Sequence, residues 1–108
     1  MNAERLKSLH SFLSENPDDP FVLYALALEY MAENSQKSEE YFDRLLTAHP
    51  DYTATYYHAA AFFAEQGKIE KTRKIFETGI AKLSVTTDHK ALGELQNAYQ
   101  NFLFELDE

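Results

Sequence analysis

The side chains in this chain that could do chemistry are few, and their spacing argues against their doing it. Four histidines, His10, His49, His58 and His89, are scattered, and no HxxxH or HExxH pair brings two imidazoles onto one helical face. No metal site is therefore expected. The acidic pairs Asp18-Asp19, Glu39-Glu40 and Asp107-Glu108 are adjacent in sequence, so on a helix they point in different directions and cannot converge on one reacting atom. They read as helix caps and solvated faces. Gly79-Ile80-Ala81-Lys82 lacks the second glycine and the following Ser or Thr of a phosphate-cradling loop, and it falls within a helical pattern. There is no GxSxG turn and no cysteine nucleophile, while Ser8, Ser11, Ser14, Ser35, Ser38 and Ser84 are accounted for by helix ends and faces. Neither an enzyme nor a cofactor-binding protein is expected.

Composition narrows the remaining classes. The chain has 108 residues, within the range of one small domain, and 44% are hydrophobic and 14% aromatic, too apolar for disorder. Without cysteine there is neither disulfide nor thiolate metal site, so helix packing alone must hold the fold. Eighteen acidic against ten basic side chains give a formal charge of −8, which opposes the phosphate neutralisation that nucleic-acid binding needs. Nucleic acid and anionic membrane are not expected partners. No run approaches the roughly 18 apolar residues of a membrane span, and the start is a polar, mixed-charge helix rather than a signal peptide. The expected location is the cytoplasm.

Punctuation at Pro17, Pro20, Asn34, Pro50, Gly67 and the polar cluster from Ser84 to Asp88 leaves six segments of helical length and no competing β alternation. The expected helices run over about 3–15, 20–33, 37–48, 53–66, 69–83 and 88–106. Asp19 is placed to cap the second, with Pro20 at its first position, and Gly67 supplies the left-handed residue that ends the fourth. The first helix carries Leu6, Leu9, Phe12 and Leu13 on one stripe, and the last carries Leu92, Leu95, Tyr99, Phe102 and Leu106. Each stripe is expected to be buried.

The segments also repeat. With an offset of thirty-three residues Pro17 meets Pro50, Tyr24 meets Tyr57, Ala27 meets Ala60 and Tyr30 meets Phe63, and past the turn the offset becomes thirty-four, so that Phe42 meets Phe76. A period near 34 with helical content resembles the tetratricopeptide repeat. In the second copy Tyr56 stands where that family usually has Trp, Ala59 and Ala60 at its Leu-Gly pair, Phe63 at its Tyr, Gly67 at the turn, Thr72 and Gly79 at its two helix-B alanines and Phe76 at its aromatic. Ser84 replaces the closing proline. In the first copy Leu23, Leu26, Ala27 and Tyr30 fill helix A, followed by Ser38, Phe42, Leu45 and the closing Pro50, with a turn one residue short. Gly79 lies inside a helix, at a cost of about 0.5–1 kcal/mol relative to alanine, and close approach of a neighbouring helix is the physical reason for it.

The resemblance implies an all-α, antiparallel helix-pair solenoid of two repeats (17–49 and 50–83), flanked by an N-terminal half-repeat helix (1–16) and a C-terminal capping helix (88–106), in a single domain over 1–108. It further implies a concave groove lined by helix-A residues: Phe21, Tyr24, Leu28 and Met31 in the first repeat, and Tyr57, His58, Ala61 and Glu65 in the second. These positions are apolar for a solvated face. They lack the Lys, Asn and Arg with which some members of the family grip a terminal carboxylate. The expected function is a protein–protein interaction module taking a helical or apolar peptide in that groove. The alternative is self-association, a homodimer using the same surface. A covering of Tyr24, Leu28 and Met31 by the last helix also remains open.

Overall fold

A computed structural model of the protein describes residues 2–107, and six α-helices are present among them with no strand. They are α1 (Ala3–Glu15), α2 (Pro20–Tyr30), α3 (Ser35–Ala48), α4 (Thr55–Glu65), α5 (Ile69–Ser84) and α6 (His89–Leu106). Side-chain oxygens open four of them. Asn2 accepts from Arg5 N–H, Asp19 from Phe21 N–H, Asn34 from Lys37 N–H and Asp88 from Ala91 N–H, each satisfying a donor that has no partner within its helix. Pro20 occupies the first turn of α2, where its missing N–H costs nothing. Gly67 has φ +75°, the left-handed conformation expected after α4.

Three boundaries differ from the sequence reading. Helix α2 stops at Tyr30 rather than near Glu33, because Asn34 folds back as the cap of α3, which consequently begins at Ser35 rather than Lys37. Helix α4 begins at Thr55 rather than Thr53.

The chain divides into two compact units, Met1–Thr55 and Tyr56–Glu108. In the first, α1 packs on α2 and α2 on α3. Leu23, Leu26, Ala27, Phe42 and Leu45 are fully buried. Ser38 sits among them because its hydroxyl donates to the Ala27 carbonyl at 2.7 Å, removing the penalty of a buried polar group. Tyr30 stacks on Tyr41 with ring centroids 6.1 Å apart, and its hydroxyl shares a 2.8 Å hydrogen bond with His10 Nε2. His10 is thus a half-buried tether between α1 and α2. The α1 stripe is less buried than expected: Leu9 is inside, whereas Phe12 is 55% exposed.

In the second unit, Tyr56, Ala59, Ala60 and Phe63 of α4 and Thr72, Ile75, Phe76 and Leu83 of α5 are buried, with Leu95 from α6. The Thr72 hydroxyl donates to the Lys68 carbonyl at 2.7 Å. Gly79 marks the closest approach. A Cβ placed there would lie 2.7 Å from Cβ and Cγ of Tyr56 and 2.8 Å from Cδ2 of Leu95, so only glycine fits between α4 and α6. The stripe of α6 is buried at Leu95, half-buried at Leu92, Tyr99 and Phe102, and exposed at Leu106, where the helix runs out past its support.

Candidate functional site

The helix-A residues singled out by sequence fall in both units. In the first, Phe21 lies on the opening turn of α2 and is 64% exposed. Tyr24 is half-buried, its ring edge-on to Tyr52 at 5.9 Å; burial, and then the neighbouring Tyr52, push its hydroxyl pKa up. Leu28 and Met31 are half-buried. None of the four is covered completely.

In the second unit a groove of about 350 Å³ opens between α4 and α6, at the lower end of the size range of ligand sites. From the expected set it takes Tyr57 and Ala61, one turn apart on α4, and adds Ala64 of the same face. His58 and Glu65 do not line it. Tyr57, 46% exposed, offers its ring to an incoming group. The floor is Phe76 and Phe102, whose centroids are 5.6 Å apart. Tyr99 stacks on Phe76 at 4.9 Å and donates its hydroxyl to Glu77 Oε2 at 3.0 Å, which locks the ring supporting the floor. Burial, followed by that bond to Glu77, raises the Tyr99 pKa.

The far wall went unread in the sequence. Glu94, Asn97, Ala98, Asn101 and Glu105 line it together with Phe102. Glu94, Ala98, Asn101 and Glu105 follow one another at three or four residues along α6, with Asn97 beside Ala98, which places them on a single polar stripe that the sequence alone does not separate from a solvated face.

Among the described residues no group of three or more His, Asp or Glu could hold a metal ion, and no helix is long and apolar enough to cross a membrane. His49 Nε2 lies 3.0 Å from Asp18 Oδ1, joining the loop before α2 to the end of α3.

An antiparallel helix repeat with small residues at crossings and an aromatic-floored groove defines a class of helical-repeat binding protein. No protein-family model and no curated protein matches the chain. Solved structures do. It is similar to a tetratricopeptide repeat domain protein from Salinibacter ruber: to its solution NMR structure with 31% identity and a TM-score of 0.73, over 80% of this chain and 88% of that one. Against the crystal structure of a tetratricopeptide repeat domain protein from the same organism the identity is 30% and the TM-score 0.73, over 78% and 94%. The chain belongs to the tetratricopeptide repeat family. Such domains generally act as protein-interaction modules, and the fold is typically a non-catalytic scaffold.

Proposed function

We propose that this protein binds a helical or apolar peptide segment of another protein on its helix-A surfaces, with the groove between α4 and α6 as the principal seat. One observation carries the reading: an open groove whose floor is rigid aromatic surface and whose α4 wall is Tyr57, Ala61 and Ala64. Small residues let a ligand backbone come close. The aromatic rings give it apolar area at little entropic cost. His58 and Glu65 of α4 add to the proposed contact surface of the second unit, and Phe21, Tyr24, Leu28 and Met31 are the proposed contacts of the first unit, taken by itself.

The test combines sedimentation over a range of concentrations with titration of fluorescent apolar peptides into the protein and into Tyr57→Ala. The expected result is a monomer that binds an apolar peptide and loses about 1–3 kcal/mol of affinity on truncation of Tyr57, the usual effect of removing an interface anchor. A stable dimer that dissociates on Tyr57→Ala would replace peptide binding with self-association.

A further inference from the structure

The charge and hydrogen-bonding groups along the α6 wall say more about the occupant than its apolarity does. The charged residues lining the groove are Glu94 and Glu105; no Lys or Arg lines it. Neither carboxylate has an ion pair with any described residue. Nearby cations make other contacts, with Arg73 Nε of α5 3.7 Å from Glu70 Oε1, and Lys71 of α5 and Lys68 just before it over the Phe63 ring at 4.1 and 5.6 Å. Between the two acids stand Asn97 and Asn101, one helical turn apart, whose side-chain amides have no hydrogen-bond partner among the described residues. Each presents a donor and an acceptor.

A helical ligand would leave these amides idle, since its backbone groups are already paired. An extended backbone presents N–H and C=O groups to both. Eleven residues of helix separate Glu94 from Glu105, about 16 Å at ~1.5 Å per residue, which an extended strand covers in about five residues at ~3.3 Å each. From the bare carboxylates, the two amides and the aromatic floor we infer that the partner segment is an extended peptide with Lys or Arg at both ends of a run of about three or five apolar residues, an odd number that turns both basic side chains towards the same wall. The basic side chains meet Glu94 and Glu105, the asparagines hold the backbone, and alternate apolar side chains enter against Phe76, Phe102 and Tyr57. This inference rests on the groove being a peptide site.

The experiment uses three end-blocked, fluorescently labelled peptides sharing one apolar centre and flanked by lysines, glutamates or glutamines. Each is titrated by anisotropy into the full chain and into a Glu94→Gln, Glu105→Gln double variant, at about 0.05 M and about 0.5 M salt. The expected order is lysine over glutamine over glutamate, with roughly tenfold between the extremes at low salt, as two solvent-exposed ion pairs permit. High salt and the double variant should each collapse that spread. Equal binding of all three peptides overturns the charge inference while leaving the groove reading intact, and a glutamate preference does the same. Failure of every peptide to bind overturns both.

Discussion

Replacing Gly79 by alanine pits two opposing effects against each other, and the structure decides the sign. In a helix interior alanine is favoured over glycine by about 1 kcal/mol. The new methyl, however, would sit 2.7 Å from Cβ and Cγ of Tyr56, where carbon atoms settle at about 3.5–4.0 Å. Leu95 Cδ2, at 2.8 Å, is the end of a flexible side chain and can turn aside. Tyr56 Cβ is fixed to its backbone, and the residue is only 2% exposed in the core, so α4 and α5 would have to part by about 1 Å. Overpacking of this kind costs about 1–3 kcal/mol, and the direct backbone-linked clash points to the upper half of that range. The net loss should be about 1–2 kcal/mol, lowering Tm by roughly 4–16 °C for a domain of this size. Gly93→Ala is the control, because a Cβ there meets nothing within 4 Å in an exposed turn of α6 and should stabilise by about 0.5–1 kcal/mol. Urea and thermal melts of both variants test the pair. If Gly79→Ala stabilises as Gly93→Ala does, the helices are not in the contact described, and the packing argument for this glycine fails.

Glu29 accepts the Asn2 N–H at 2.9 Å and Arg5 Nη1 at 3.3 Å, and these contacts, the backbone bond foremost, hold its carboxyl below its ordinary 4.5. A depressed folded pKa means stability present above about pH 4.5 and lost as pH falls through the lower folded value, so urea melts of wild type and Glu29→Gln should differ near neutrality and converge in acid; a gap independent of pH refutes this. Phe42→Ala should cost about 3–5 kcal/mol by thermal melting, since Phe42 is fully buried, whereas Tyr57→Ala should cost well under half as much. Equal losses would make Tyr57 a core residue.

Legibility in the sequence followed the strength of the local signal. The repeat offset, the cap at Asp19, the left-handed Gly67 and the crowding at Gly79 each depend on a residue with one dominant physical use, and the structure has them in those uses. Helix ends were harder, because Asn34 can close one helix or open the next, and only its bond to the Lys37 N–H shows which. The Phe12 stripe misled because periodicity marks a face without saying how much of it a neighbour covers; at a terminal helix such as α1, Leu9 is inside and Phe12 largely outside. The α6 wall was illegible for the converse reason. Glu94, Asn97, Asn101 and Glu105 are polar, and a polar stripe reads alike whether it faces bulk water or a groove.

The crowding at Gly79 also bears on how this groove could diversify. Tyr56 and Leu95, which close over the glycine, are the immediate sequence neighbours of Tyr57 and Glu94, one on each wall. The glycine therefore acts as a spacer beneath the hinge of the two walls, and a larger side chain there would splay them without altering any residue that lines the groove. A wider or narrower groove is reachable through residue 79 and the bulk of its two neighbours, leaving the chemistry of the lining unchanged. Aperture and polarity are adjustable separately in a domain of this size.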